Sequence, residues 1–156
     1  MPKISSLRDS TLFKNLTDEQ IGAVVNISET RAFEEDERII SEGEPGEKMY
    51  LILAGRVAIT VSVPGEDRTE ELATLDKGEV FGELSLLGRD KRAANVVTKT
   101  EVNLMEWNAS ALNSILEQDS ALGFQVMRSL AYSLTERLTS TNINLRNTFT
   151  KMSPLI

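Results

Sequence analysis

The feature that most constrains the fold is a central region in which short alternating segments are separated by glycines. Seven of the nine glycines lie between Gly43 and Gly88, and glycine commonly marks turns. Residues 56–63 alternate strictly between apolar and small or polar side chains, which is typical of a half-buried strand. Further short strands are predicted at residues 71–75, 92–97 and 101–107. Four glycines are interpreted as turn-formers: Gly43, Gly46, Gly55 and Gly78.

Helices are predicted on both sides of the strand region. Thr17 and Gln20 have the spacing of a capping box at the start of a short amphipathic helix. Its predicted apolar face is Ile21, Val24 and Val25. After the strands, one helix can start at Asn108, and a longer one can start at Asp119 or Ser120 and end near Thr148.

These elements predict a single α+β domain with a mainly β core over residues 1–156. The core is an antiparallel β-roll of the jelly-roll or double-stranded β-helix type, over residues 31–107. An N-terminal helical part covers residues 12–30, and C-terminal helices cover residues 108–149. The residues that follow the long helix are too few for a DNA-reading module, so no DNA-binding domain is expected.

The long C-terminal helix carries a stripe of apolar or small residues at alternating spacings of three and four. The stripe comprises Phe124, Met127, Ala131, Leu134, Leu138, Thr141, Leu145 and Thr148. This is the seam pattern of a coiled coil, and it predicts a homodimer paired through the helix. The alternative is a single helix whose stripe packs on its own β-roll.

Composition excludes several functions. The chain has no His and no Cys, so zinc sites built on those ligands and nucleophilic catalysis by Cys or His-assisted Ser are excluded. We expect no enzyme activity, no catalytic residue, no metal and no cofactor. The net charge of −7 disfavours nucleic acid as a partner. No apolar run approaches the roughly 20 residues needed to span a bilayer, and no signal peptide is visible, so a cytoplasmic protein is expected.

Residues 81–96, FGELSLLGRDKRAANV, have the composition of a cradle for a small anionic ligand. Glu83 and Arg92 lie nine residues apart, between glycines and next to the small pair Ala93 and Ala94. A surface loop requires none of this arrangement. A partly buried ion pair between Glu83 and Arg92, with no ligand, is the alternative interpretation.

In its wider context this segment resembles the cyclic nucleotide-binding domains shared by the bacterial catabolite activator protein and protein kinase A regulatory subunits. The resemblance covers roughly residues 12–142 and rests on EGEPGEKMYLILAGRV, GEVFGELSLL and RAANV. Kinase-type members have F-G-E-L-A-L-I, an Arg nine residues after the Glu, and then two small residues. Here Glu83, Arg92, Ala93 and Ala94 match that pattern position for position.

The resemblance implies that this segment holds a cyclic nucleotide, and the residue chemistry agrees. Arg92 suits the phosphate because its planar guanidinium can bind two oxygens, and Glu83 suits a ribose hydroxyl. Gly82 lets the backbone approach the ligand. Residues 84–87, which begin with Leu84 and Ser85, are predicted to form a helical turn near the phosphate, where Ser85 adds a hydroxyl. Ala93 and Ala94 leave room beside the sugar-phosphate. Arg89 and Lys91 are interpreted as solvated charges.

The identity of the base and the way in which binding is signalled are inferred from fewer residues than the phosphate site. In the family, Ala after the Arg is usual in cyclic AMP binders and Thr favours cyclic GMP, so Ala93 favours cyclic AMP with cyclic GMP still possible. Alignment of ERLTSTN with the bacterial activators implies that Thr141 and Asn142 contact the base. The expected function is a stand-alone, dimeric cyclic nucleotide sensor that regulates an unknown effector protein. A dimerisation module with a degenerate pocket and a cupin-type enzyme are the alternatives, and the lack of His disfavours the enzyme.

Overall fold

The computed structural model describes residues 2–88 and 91–152. Eight strands in these two ranges form two four-stranded sheets, and every pairing is antiparallel. The strands are β1 (Glu29–Phe33), β2 (Arg38–Ile40), β3 (Lys48–Ala54), β4 (Val57–Ser62), β5 (Thr69–Leu75), β6 (Val80–Phe81), β7 (Asn95–Thr98) and β8 (Val102–Asn108). One sheet has the order β1-β8-β3-β6 and the other β2-β7-β4-β5. The predicted α+β fold with an antiparallel β-roll is therefore confirmed.

The sheet β1-β8-β3-β6 carries a different hydrophobic cluster on each face. Along β3, Met49 and Leu51 pack into a cluster with the helices, whereas Tyr50 and Ile52 pack into the interior of the roll. Successive side chains of a strand point to opposite faces, so one strand serves both clusters. Strand β8 shows the same alternation. The sheet is consequently the wall between the roll interior and the helical layer.

Helices precede and follow the strands, and the first of them is not predicted by the sequence. They are α1 (Ile4–Leu7), α2 (Asp18–Asn26), α3 (Ala109–Gln118) and α4 (Ser120–Met152), and a 3₁₀ helix spans Glu83–Leu87. The predicted capping box is present, because Gln20 N–H donates to Thr17 Oγ1 at 3.2 Å and Thr17 N–H donates to Gln20 Oε1 at 3.0 Å. The predicted apolar face of α2 is buried. Within the described ranges, no helix combines the length and the apolar character needed to cross a membrane.

Helices α3 and α4 begin where the sequence predicts. Asn108 Oδ1 accepts the Ala111 N–H at 3.0 Å at the start of α3, and Asp119 Oδ1 accepts the Leu122 N–H at 3.1 Å near the start of α4. Such side-chain acceptors satisfy amides that have no partner inside the helix.

The face of α4 that packs on the protein is not the predicted seam. Leu122, Val126 and Leu130 are buried in the helical cluster. Of the seam residues, Met127 and Leu134 are half-buried, whereas the others are exposed: Phe124, Ala131, Leu138, Thr141, Leu145 and Thr148. The first part of α4 therefore packs on its own chain through a neighbouring face of the helix, and most of the stripe that the alternative interpretation placed on the β-roll is exposed.

Two further expectations are corrected. The strand predicted at residues 92–97 begins only at Asn95, because Ala93 and Ala94 form a bend before it. Among the glycines interpreted as turn-formers, Gly43, Gly55 and Gly78 have φ between 82° and 92°, which favours glycine. Gly46 has no such backbone conformation.

Candidate functional site

A cavity lies between the 3₁₀ helix, the segment before β7 and helix α4. It is lined by Ile40, Ile59, Phe81, Gly82, Glu83, Leu84, Ser85, Lys91, Arg92, Ala93, Ala94, Val96 and Arg137. Seven of the nine residues that the sequence predicts for the site are in this lining: Gly82, Glu83, Leu84, Ser85, Arg92, Ala93 and Ala94. The structure thus brings the predicted anion cradle together on one surface.

Thr141 and Asn142, the other two predicted residues, are exposed on α4 and are not in the cavity lining. Thr141 lies one helical turn beyond Arg137, which is about 6 Å along the helix axis. Their contact with a base stays a prediction.

The Arg92 side chain is held by three oxygen acceptors. Its Nη1 donates to Ser85 Oγ at 2.8 Å and to Gly82 O at 3.4 Å, and its Nη2 donates to Lys48 O at 2.7 Å. The guanidinium is therefore oriented before any ligand binds. Each of these acceptors is neutral, so an anionic ligand would form stronger, charge-assisted hydrogen bonds with the same donors.

Burial also affects the charge of Arg92. It lowers the pKa of the Arg92 guanidinium, and the neighbouring Tyr50 and Glu83 act in the opposite direction. Because an arginine titrates far above neutrality, the side chain stays cationic at neutral pH. The cavity therefore presents a fixed, partly desolvated positive charge.

Gly82 occupies a position that a side chain would disrupt. Its φ is 75°, and a Cβ there would lie 2.8 Å from Lys48 O and 3.1 Å from Arg92 Nη1. The left-handed conformation alone favours glycine. The sequence predicted that Gly82 makes room for a ligand, and the structure adds that it makes room for β3 and for Arg92.

The Glu83 carboxylate is buried and paired with Arg137 of α4. Arg137 Nη1 donates to Glu83 Oε1 at 2.8 Å, and Arg137 Nη2 donates to Val80 O. Sequence reasoning missed Arg137, which lies 54 residues from Glu83. A signal existed, since residues four apart on a helix share a face and Arg137 is four residues before the predicted Thr141.

The ion-pair alternative predicted that Glu83 and Arg92 neutralise each other. The structure instead pairs Glu83 with Arg137, while Arg92 contacts Ser85 and Lys48. Two positive side chains thus face the cavity from different elements. Lys91 is also in the lining, and Arg89, predicted to be a solvated charge, lies outside the described residues.

The lining suits a ligand that has an anionic group, a hydroxyl donor and an apolar face. Arg92 supplies a cation, Glu83 supplies an acceptor, and Ser85 supplies a hydroxyl. Ile59 and Phe81 are among the apolar side chains that form the rest of the wall. Pockets of this kind, mostly apolar with a few converging polar groups, are typical binding sites for small molecules.

Comparison with known proteins agrees with this description. The sequence profile described as "Cyclic nucleotide-binding domain" matches residues 30–119. The human cGMP-dependent protein kinase 2 is 34% identical over 93 residues, which are 60% of this chain and 12% of the kinase. The CRP-like cAMP-activated global transcriptional regulator of Mycobacterium tuberculosis is 30% identical over 134 residues, which are 86% of this chain and 58% of the regulator.

A solved structure also matches the fold. The cyclic nucleotide-binding domain from Methylobacillus flagellatus superposes with a TM-score of 0.82, covering 93% of this chain and 81% of that domain at 23% sequence identity. The chain spans an eighth of the kinase and less than two thirds of the regulator. The alignments therefore relate this chain to one domain of each longer relative.

Proposed function

The chain belongs to the cyclic nucleotide-binding domain family, and from that premise we propose that its cavity binds cyclic AMP in preference to cyclic GMP. One observation carries the proposal. Arg92 and Glu83, which match the family pattern in sequence, line the same cavity with Ala93 and Ala94 beside them. The domain acts as a sensor rather than as an enzyme.

Each polar group of the ligand has a partner in this proposal. The cyclic phosphate binds Arg92 through the planar guanidinium, which holds two oxygens at once. The ribose 2′-hydroxyl donates to Glu83, whose carboxylate is already fixed by Arg137. Ser85 adds a hydroxyl beside Arg92. The small side chains of Ala93 and Ala94 leave space for the sugar-phosphate.

The choice of base rests on Ala93 and on helix α4. Ala93 supplies no hydroxyl that would favour a guanine, so cyclic AMP is the preferred ligand and cyclic GMP the weaker one. We also propose that Thr141 and Asn142 contact the base, with their donors and acceptors matched to a purine edge. Because both are exposed, this contact requires α4 to move toward the cavity or a second copy to approach it.

We propose that helix α4 transmits the effect of ligand binding to the effector. Its second half exposes Leu138, Leu145 and Phe149, each at least half exposed, and a homodimer would cover such side chains. The effector is proposed to be another protein. A net charge of −7 disfavours direct contact of this domain with nucleic acid.

A dimerisation module with a non-binding pocket is the second candidate. It is favoured by one observation, namely that both key side chains already have partners without a ligand. Arg92 is bonded to Lys48 and Ser85, and Glu83 is bonded to Arg137. In that case the polar residues of the cavity serve stability alone.

Calorimetric titration separates the two candidates. The protein is first freed of carried-over nucleotide by unfolding and refolding, and then titrated with cyclic AMP, cyclic GMP and noncyclic AMP. We expect binding at micromolar or lower cyclic AMP, weaker cyclic GMP, and much weaker noncyclic AMP. Arg92→Ala should weaken cyclic AMP binding by roughly 2–4 kcal/mol, or about 30- to 1,000-fold. No heat and no thermal shift at millimolar ligand would support the non-binding module.

A further inference from the structure

Gly46 lies directly against the side chain of Arg92. A Cβ at Gly46 would overlap with Nε and Cζ of Arg92 and would lie 2.5 Å from its Cδ. The backbone of Gly46 is outside the left-handed region, so its conformation is open to alanine. What excludes a side chain at this position is therefore the Arg92 side chain itself.

The turn that precedes Gly46 also fixes the backbone of Arg92. Arg92 N–H donates to Glu44 O at 2.9 Å, and Gly43 N–H donates to Arg92 O at 2.9 Å. Pro45 and Lys91 form a bridge beside these bonds. Because its main chain is tied to this turn on both sides, Arg92 cannot retreat as a whole from an added Cβ. Its flexible side chain must move instead.

We propose that Gly46 is a positioning residue for Arg92, and this inference rests on the proposed cyclic nucleotide site. Because Gly46 has no side chain, the Arg92 side chain can lie directly against its backbone. This position brings Nη1 to Ser85 and Nη2 to Lys48 O. A Cβ at position 46 would displace the guanidinium, which would then lose these acceptors and no longer present its paired donors to the phosphate. Gly46 thereby controls phosphate affinity without contacting the ligand.

Other glycines differ in the atoms that a Cβ would meet. At Gly55 and Gly123 a Cβ would overlap with the backbone oxygens of Glu101 and Leu116, so substitution there would disturb the fold. At Gly22 a Cβ would meet nothing within 4 Å. Gly22→Ala is consequently the matched control for Gly46→Ala, since both add one methyl group.

The test is a double-mutant cycle between Gly46→Ala and Arg92→Ala. Cyclic AMP affinity is measured by titration up to millimolar ligand, and thermal stability is measured without ligand. In the wild-type background, Gly46→Ala should weaken binding about as much as Arg92→Ala does, roughly 30- to 1,000-fold. In the Arg92→Ala background it should change affinity by less than about threefold, since the added methyl then fills vacated space. Gly22→Ala should bind like wild type.

The outcomes separate this inference from the proposed function. A wild type that binds no cyclic nucleotide overturns the proposed function and this inference with it. A wild type that binds, together with a Gly46→Ala variant of equal affinity, overturns the inference alone. An equal loss from Gly46→Ala in both backgrounds also overturns it, because the effect would not pass through Arg92. If Gly46→Ala is unstable, adding Arg92→Ala should restore stability, and failure to do so would contradict the contact.

Discussion

The Glu83 carboxylate is only 7% exposed, and its ion pair with Arg137 joins the 3₁₀ helix to α4. Within the described part of the chain, Nε of Arg137 is buried and has no hydrogen-bond partner. Removing one partner of a buried pair leaves the other charge uncompensated, which costs more than the pair itself contributes. The Arg137 side chain therefore stabilises the contact between the 3₁₀ helix and α4, and it also lines the cavity.

Replacing Arg137 tests this stabilising contact. Arg137→Ala should lower the free energy of unfolding by about 1–3 kcal/mol, because Glu83 would be left buried without its partner. Urea unfolding measures the change, and Arg128→Ala, an exposed arginine of the same helix, is the control. Adding Glu83→Gln to Arg137→Ala should recover part of the loss, since a neutral amide is less costly to bury. Identical unfolding midpoints for Arg137→Ala and wild type would contradict this stabilising role.

The sequence predicts the local half of this site and misses the distant half. Glu83 and Arg92 belong to one contiguous, glycine-framed segment, so their association can be predicted from spacing. Arg137 joins them because α4 crosses the cavity, and the one indication of this in the sequence is its spacing of four residues from the predicted Thr141. The contact of Gly46 with Arg92 is missed for a similar reason, because the local sequence shows only a glycine of the kind that is common in turns. The side chain that occupies its open space belongs to a residue 46 positions later.

Helix α4 has two parts with different surroundings. Its first part is anchored to the helical cluster by Leu122, Val126 and Leu130, whereas Leu138 is 62% exposed and Leu145 is 51% exposed. Helix α4 continues to Met152, beyond its predicted end near Thr148, whereas its start was predictable from the cap. The inward face was not, because the buried face and the seam are adjacent apolar stripes, and composition does not specify which neighbour covers each.

We expect the exposed part of α4 to pair with a second copy. The wild type should sediment as a dimer at tens of micromolar, and Leu138→Asp should make it monomeric. Burying a leucine is worth about 1.5–3 kcal/mol, and a symmetric dimer buries two, so the dissociation constant should rise by roughly 100-fold or more. Leu72→Asp is the matched control, since Leu72 is 56% exposed on β5 and should not affect pairing. A monomeric wild type would contradict the dimer and leave α4 as an intramolecular element.

At the scale of the whole molecule, the two hydrophobic clusters share one sheet. Tyr50 and Phe81 stack at 4.9 Å in the roll interior, and Phe81 also lines the cavity. On the other face, Trp107 is fully buried in the helical cluster, and its Nε1 donates to Val24 O at 2.8 Å. Strands β3 and β8 contribute side chains to both clusters, so loss of the shared sheet would disrupt both of them. We therefore expect a single cooperative unfolding transition.

Ligand binding on one face of the sheet should therefore also stabilise the helical cluster around Trp107 on the other face. At about 100 times its dissociation constant, a ligand adds ~2.7 kcal/mol to stability, which for a domain of this size raises Tm by roughly 5–10 °C. Trp107 is the single tryptophan, so its fluorescence reports the helical cluster specifically. With cyclic AMP, the fluorescence transition and the calorimetric peak should rise together by this amount, and both shifts should be at most about a third as large in Arg92→Ala at the same ligand concentration. A calorimetric shift without a matching shift of the Trp107 transition would mean that the roll and the helical layer unfold separately. In that case the shared sheet would not transmit ligand binding to the helices.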